Sequence, residues 1–251
     1  MNLAGNTALI TGGASGIGLA LAAAFLAAGT EVVVCGRRED RLMEAQRRHP
    51  GLHVRPFDVS DPDGCKALAR WTAEAFPGLN LLINNAGIQR DIDFTAGADP
   101  YLSGESEIKI NLEAPILLSG LFVPQLRGKP QAAIVNVTSG LGFVPAARMP
   151  VYSATKAGLH AFSMALRRQL KPVGIQVIEI VPPAVDTKLN PEGRAARGHF
   201  RAGLDADTFV AAVMERLAAD ADEIAYGFSA GMVNASRAEL DAAFERMNGR
   251  W

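Results

Sequence analysis

Short apolar runs recur along this chain and are continuous rather than alternating: Thr7–Thr11, Glu31–Cys35, Leu52–Phe57, Leu79–Asn84, Ala132–Thr138 and Ile175–Val181. Such runs suit strands covered on both faces, as in a parallel sheet, because a strand with one wet face alternates apolar and polar positions. Between them the spacing predicts helices at Leu19–Ala28, Arg38–Arg48, Asp63–Phe76, Ser106–Leu126 and Tyr152–Leu170. Gly29 closes the first, and Pro50-Gly51 and Pro77-Gly78 punctuate two helix-to-strand joints. A weaker strand at Glu223–Tyr226 and a helix at Ala235–Met247 complete the pattern. This alternation predicts an α/β fold, a doubly wound parallel sheet flanked by helices. With no linker, repeat or low-complexity tract, residues 1–251 are expected to form a single domain. Pro182–Asp205, rich in Pro, Gly, Arg and Ala, resists the pattern. A loop of that length after a strand's carboxyl end is expected to act as a substrate lid.

Composition narrows the function classes. With 49% hydrophobic residues the chain has ample material for a core. A formal net charge of −1, from scattered residues of both signs, offers no footprint for nucleic acid or an anionic membrane. No apolar run approaches the roughly 18–20 residues of a membrane span. Met1-Asn2-Leu3-Ala4-Gly5 has no basic region ahead of an apolar stretch, so no secretory signal is expected. Cys35 and Cys65 are too few for a disulfide framework and suit reduced cytosol, so a cytoplasmic location is expected. His49, His53, His160 and His199 have no paired metal-ligand spacing, and no metal is expected.

The densest chemical signal is Thr11-Gly12-Gly13-Ala14-Ser15-Gly16-Ile17-Gly18, directly after the first strand run. A strand that ends in a glycine turn and opens a helix presents backbone N–H groups to a pyrophosphate. Far downstream, Ser139 follows the run ending in Thr138, at the sheet edge that faces the ligand crevice. Tyr152 and Lys156 are four apart on a predicted helix and so share a face. An ammonium beside a phenol favours the phenolate and brings its proton chemistry toward neutrality. Each feature alone is commonplace: Tyr/Lys pairs usually lie on surfaces, and a serine after a strand usually caps a turn. Their occurrence together behind a nucleotide-type turn points to a site.

Together these residues resemble the short-chain dehydrogenase/reductase family, in its branch of single-domain subunits with a Rossmann-type sheet. The Thr-Gly-x-x-x-Gly-x-Gly signature falls at Thr11, Gly12, Gly16 and Gly18, and Asn-Asn-Ala-Gly at Asn84-Asn85-Ala86-Gly87. The helix asparagine is Asn111, and the Ser, Tyr-x-x-x-Lys set is Ser139, Tyr152 and Lys156, at the family's usual separation. The resemblance implies that Tyr152 is the general acid/base and that Ser139 polarises the substrate oxygen. Lys156 would contact the nicotinamide ribose and lower the tyrosine pKa. Asn111 would disturb its helix and hold a water linking Lys156 to solvent. Gly12, Ser15, Gly16, Ile17 and Gly18 would hold the pyrophosphate, and Asp58-Val59 would flank the adenine. Asn85, Ala86 and Gly87 would run beside the cofactor, whereas Asn84 would stiffen the sheet centre.

One element departs from the family. Its usual Pro-Gly before Val-x-Thr reads Pro182-Pro183-Ala184-Val185-Asp186-Thr187 here. Proline stiffens the loop entry and removes a donor, while Pro182, Val185 and Thr187 keep the expected nicotinamide contacts. This element, with Val-Cys-Gly-Arg-Arg-Glu-Asp-Arg-Leu, resembles the DltE-like bacterial branch. Where NAD-preferring relatives carry an acid after the second strand, this chain has Gly36, then Arg37 and Arg38, which implies NADP(H) over NAD(H). The expected activity is interconversion of a small-molecule alcohol and carbonyl compound, with assembly as a homodimer or homotetramer. The alternative is a non-catalytic NADP-binding regulatory or assembly protein. Sugar-nucleotide epimerases share Tyr-x-x-x-Lys but carry a larger C-terminal substrate region. His160 is assigned to helix packing or a partner subunit, and His199 to an occasional substrate contact. Glu179 is an oddity in a buried strand, and Asp93, Asp99, Glu105 and Glu107 are read as a solvated acidic stretch. Phe94, Leu141, Phe143, Val144 and Met149 are available to line an apolar cleft or, equally, to be ordinary core.

Overall fold

Each predicted strand forms, the central runs because their β-branched and leucine-rich residues are covered from both sides, whereas the two edge strands depart from that expectation, with His53 and Arg55 exposed on one and only Ile224 buried on the other. The strands of the computed structural model are β1 (Thr7–Thr11), β2 (Glu31–Gly36), β3 (Leu52–Pro56), β4 (Leu81–Asn84), β5 (Ala133–Val137), β6 (Gln176–Val181) and β7 (Glu223–Ala225). The structure describes residues 1–196, 198 and 203–249, the side chains of 194 and 196 excepted. The strands pair in parallel in the order β3-β2-β1-β4-β5-β6-β7, a seven-stranded Rossmann-type sheet. The strand order reverses between β1 and β4, which opens a crevice at their carboxyl ends.

Helices cover both faces: α1 (Gly16–Ala27), α2 (Glu39–Arg48), α3 (Pro62–Ala75), the short α4 (Asp99–Leu102), α5 (Ala114–Leu126), α6 (Pro150–Leu170), α7 (Pro191–Ala196), α8 (Ala206–Ala218), α9 (Phe228–Val233) and α10 (Arg237–Asn248). One apolar layer joins Ile10, Val34, Ile83, Val135 and Ile180 to Leu21 and Phe25 of α1 and Phe209 and Val213 of α8. The other joins Leu9, Val33, Leu82, Ile134 and Val177 to Leu68 of α3, Phe122 of α5 and Leu166 of α6. Alternate residues of each strand thus feed opposite layers. Local chemistry sets the helix starts. Pro62 and Pro150 open α3 and α6 with a preset φ and no N–H to leave unpaired, and Asp61 caps α3 by accepting from Asp63 N at 3.0 Å.

The predicted helix Ser106–Leu126 forms with the local disturbance expected at Asn111: Lys109–Glu113 winds as a π turn that runs directly into α5. Pro115 cannot donate the i→i+4 bond to the Asn111 carbonyl, which loosens the winding there. The 182–205 stretch is not plain loop. It contains α7, and its ends pair through Asp186 N–Leu204 O at 2.8 Å and Leu204 N–Ala184 O at 2.9 Å. The helix α8 was unread, although Asp205 caps it through Thr208 N at 2.9 Å and Phe209, Val213 and Leu217 carry a buried stripe at four-residue spacing. His199 lies outside the described residues.

Candidate active site

Thr11, the last residue of β1, joins two parts of the site. Its hydroxyl accepts from the N–H groups of Asn85 and Ala86, each at 3.0 Å, and Asn85 Nδ2 donates back to the Thr11 carbonyl at 3.0 Å. Residues 85–87 are thereby laid against the glycine turn. Gly12 has φ +67°, and a Cβ there would come 2.9 Å from Ala86 Cα, while a Cβ on Gly18 would collide with Asn85 Nδ2. Both positions need glycine, the first for its dihedral and both for space. Ser15 makes no side-chain cap and the first turn of α1 has no acidic residue, so the amides of Gly16, Ile17 and Gly18 form an electropositive cradle. Thr187 reaches this turn, its methyl carbon 3.0 Å from where a Gly16 Cβ would stand. Val185, nearby, is buried.

At the end of β2, Gly36 faces open space. Arg37 and Arg38 are exposed, and the Arg37 guanidinium is ion-paired with Glu105. Past β3, the Asp58 carboxylate accepts from the N–H and hydroxyl of Ser60 at 2.9 and 2.8 Å, which shapes the turn that carries Val59.

Ser139 follows β5 in extended conformation, and its hydroxyl accepts from Leu141 N at 3.2 Å. Tyr152 and Lys156 are buried on α6, with the Lys156 ammonium 5.7 Å from the Tyr152 ring centroid. Lys156 Nζ donates to the Val137 carbonyl at 2.8 Å. Burial lowers the Lys156 pKa to about 8, with the charge of Glu179 acting in the opposite sense. Asn111, fully buried in the π turn, clamps Ile88: its Oδ1 accepts from Ile88 N at 2.9 Å and its Nδ2 donates to Ile88 O at 2.8 Å. A Cβ on Gly87 would stand 3.3 Å from Asn111 Oδ1 and 3.8 Å from Lys156 Nζ, so these three residues meet. Pro182 turns its carbonyl to Gly140 N at 3.2 Å and Ser229 Oγ at 2.9 Å, joining the end of β6 to the turn after Ser139.

A polar row crosses the sheet behind this group. Asn84, Asn136, Glu179 and Glu223 are register partners on β4, β5, β6 and β7. Asn84 Nδ2 donates to Asn136 Oδ1 at 2.9 Å, and Asn136 Nδ2 donates to Ser163 Oγ of α6 at 2.9 Å. Glu179 accepts from Thr138 Oγ1 at 2.7 Å and meets His160 Nδ1 at 2.8 Å. Asn84 therefore ties the sheet centre together, as expected.

Some assignments change. His160 pairs with Glu179 inside the chain and packs against the Phe143 ring at 4.5 Å between centroids. Glu107 does not solvate a loop: it is 1% exposed and accepts from Arg90 N at 3.0 Å. Burial raises its pKa to about 7, the Arg90 N–H and guanidinium opposing. Glu105 is the partner of Arg37. Asp93 does cap a turn, through Thr95 N at 2.9 Å. Val144 is core, at 0% exposure. Cys35 and Cys65 are free, and burial pushes their thiols up to about 12 and about 11, so neither is poised as a nucleophile. Sequence reading missed Asn248, whose Oδ1 accepts from Ala147 N at 2.7 Å and whose Nδ2 donates to Pro145 O at 3.0 Å. It also missed Asn190, which donates to Asp91 Oδ1 at 2.8 Å from the 182–205 stretch. Both contacts join residues about a hundred positions apart, beyond any local pattern.

Residues 6–198 match the sequence profile of the family described as short chain dehydrogenase. Over 248 residues the chain is 46% identical to the uncharacterized oxidoreductase DltE of Bacillus subtilis (strain 168), across 99% of this chain and 98% of that protein. A short chain dehydrogenase from Burkholderia cenocepacia J2315, solved in complex with NADP, aligns with a TM-score of 0.81 at 26% identity, over 97% of this chain and 99% of that one. A short chain dehydrogenase/reductase from Burkholderia phymatum, solved with NAD, shares the fold at a TM-score of 0.82 and 22% identity, over 99% of this chain and 97% of that one. Among the described residues, no helix is long and apolar enough to cross a membrane.

Proposed function

Because this chain belongs to the short-chain dehydrogenase family, we propose that it is an NADP(H)-dependent enzyme that interconverts an alcohol and a ketone or aldehyde, with Tyr152 as general acid/base. The observation that carries this reading is the burial of the Lys156 ammonium beside Tyr152, anchored on β5 one residue before Thr138-Ser139. Burying an ammonium is costly, and a protein that only bound a nucleotide or only assembled would gain nothing from it.

The glycine turn fits a dinucleotide: without a Cβ at Gly12 and Gly18 it closes against Asn85 and Ala86, and the first turn of α1 is left with uncapped N–H groups and no acidic residue. The amides of Ser15, Gly16, Ile17 and Gly18 would hold the diphosphate beside Gly12, whose own N–H is taken by the Cys35 carbonyl at 2.8 Å, Asp58 and Val59 would flank the adenine, and Arg37, supported by Arg38, would take the 2′-phosphate. Asn85, Ala86, Gly87, Pro182, Val185 and Thr187 border the nicotinamide half. Bound there, the nicotinamide supplies or accepts the hydride. Ser139 holds the substrate oxygen, and Tyr152 gives that oxygen a proton in reduction or takes one in oxidation. Lys156, as an ammonium, stabilises the phenolate left behind and contacts the ribose. The Asn111 carbonyl, deprived of its i→i+4 donor by Pro115, holds the water through which protons reach Lys156. The described part of the 182–205 stretch, α7 included, would border the substrate. Residues 1–251 act as one domain in the cytoplasm, and copies associate through α5 and α6, where Ile116 and Met164 are exposed.

The test is turnover of NADPH and NADH against a panel of aldehydes and ketones, and of NADP+ and NAD+ against secondary alcohols, with Tyr152→Phe as control. Turnover by the native enzyme that Tyr152→Phe abolishes is the expected result. Tight NADPH binding with no turnover on any class would favour the non-catalytic alternative.

A further inference from the structure

Glu179 is a carboxylate at 0% exposure in the middle of a strand, which demands a reason. The polar row supplies its neighbours. From β5, Thr138 donates its hydroxyl to Oε1 at 2.7 Å; from α6, His160 meets Oε2 at 2.8 Å; from β7, Glu223 is its register partner. Two more cations lie on α6: Lys156, and Arg167, which donates to Val177 O at 2.8 Å and Asp222 O at 2.9 Å. The Lys156 ammonium and the Glu179 carboxylate thus attach to consecutive residues of one strand end, Val137 and Thr138, and Ser139 follows. His160, one turn beyond Lys156, keeps 23% of its side chain open to solvent, so its proton exchanges freely.

We propose that Glu179 and His160 are positioning residues for the reaction at Tyr152, holding Lys156 as an ammonium and fixing the Thr138–Ser139 corner. This rests on the function proposed above for Tyr152 and Lys156. The balance of charge gives the pair a direction. When His160 is protonated, its imidazolium covers the Glu179 charge. As pH rises and His160 loses its proton, that charge is uncovered and bears more fully on Lys156, which stays an ammonium further into the basic range. The hydrogen bond to Glu179 raises the His160 pKa, while burial, then the like charge of Glu179, raises that of Glu223; both shifts agree with a carboxylate at the centre.

Two substitutions separate charge from shape. Glu179→Gln keeps an acceptor for Thr138 and loses the charge, and a buried amide costs less than a buried carboxylate, so folding is retained. His160→Gln keeps a donor toward Glu179 and loses the imidazolium. Lys156 and His160 are titrated by NMR on carbon-13-labelled lysine and histidine, and kcat/KM is followed across pH. In Glu179→Gln, the Lys156 titration and the basic limb of kcat/KM both move down by about one pH unit, the size expected on losing a nearby opposite charge, and His160 titrates lower. In His160→Gln the basic limb does not move down. An unmoved Lys156 titration in Glu179→Gln, or an equal downward shift in both variants, overturns the proposal. The ligand atoms of His160, Glu179 and Glu223 also lie within 4.8 Å of one another. Tight Zn²⁺ binding that is lost in Glu223→Gln would make the cluster a metal site instead. If the native enzyme turns over no substrate, the proposed function fails, while the two titrations still decide the pairing.

Discussion

Arg37 at the end of β2 is ion-paired with Glu105, 68 residues further along, on the segment that leads into the π turn before α5. A carboxylate thus already holds the guanidinium that a 2′-phosphate needs. The two side chains are 43% and 51% exposed, so the pair is a weak competitor rather than a block.

Glu105→Gln is therefore expected to tighten NADPH binding about one-and-a-half- to fivefold, the equivalent of an exposed pair worth roughly 0.2–1 kcal/mol. Arg37→Ala is expected to weaken NADPH binding by about tenfold or more, from the loss of a charged hydrogen bond, and to leave NADH unchanged. Fluorescence titration with both cofactors checks this. Equal affinities in the native protein would remove the NADP(H) assignment.

Tyr152 is 6% exposed, so phenylalanine preserves its packing and removes only the hydroxyl. Turnover of Tyr152→Phe should fall about 10²–10⁴-fold with cofactor affinity nearly unchanged. A variant retaining most of the activity would exclude this residue as the acid/base.

Lys156→Met should abolish turnover and yet stabilise the fold. In the folded state burial lowers the amine to about 8 from 10.5, so at neutral pH the protein carries a buried charge that the unfolded chain holds in water. The native enzyme therefore gains stability as pH rises through that window, because the unfolded state keeps its proton longer. Near pH 7 the substitution is worth on the order of 1–3 kcal/mol, and the gap in Tm between variant and native enzyme should close toward pH 10. A constant gap would show that the amine is not desolvated.

Glu107 has the opposite sign. Its carboxyl is raised from 4.5 to about 7, so the folded state binds the proton more tightly and stability falls as pH rises across that interval. Among the described residues its Oε2 is buried without a hydrogen-bond partner. Glu107→Gln removes the charge and should raise Tm at pH 8 more than at pH 5. Thermal melts at the two values suffice; an equal shift at both would mean that Glu107 stays ionised throughout.

Much of the site is legible in the sequence because it is built from local chemistry. Gly12 and Gly18 announce themselves through dihedral and space, and Tyr152 and Lys156 share a helix face by their spacing. The strand runs declare a two-sided sheet. The unread α8 had its cap and stripe in view at Asp205, Phe209, Val213 and Leu217, but it followed a stretch that looked like continuous loop. Glu105 and Glu107 look alike as acidic residues next to a helix start. One is exposed and paired and the other buried, and nothing local distinguishes them.

The sequence by itself determined the strand runs, the doubly wound class of the fold and the glycine turn, and placed Tyr152 and Lys156 on one helix face, since these follow from local patterns along the chain. Tertiary structure alone decided that Glu179 stands beside Asn136 and Glu223, that His160 and Thr138 satisfy it, and that Arg37 meets Glu105. Parallel strands are joined by long crossovers, so which side chains become register neighbours is set by how whole helices pack on the sheet. A polar residue in a buried strand declares a cost, and only the fold reveals the partner that offsets it.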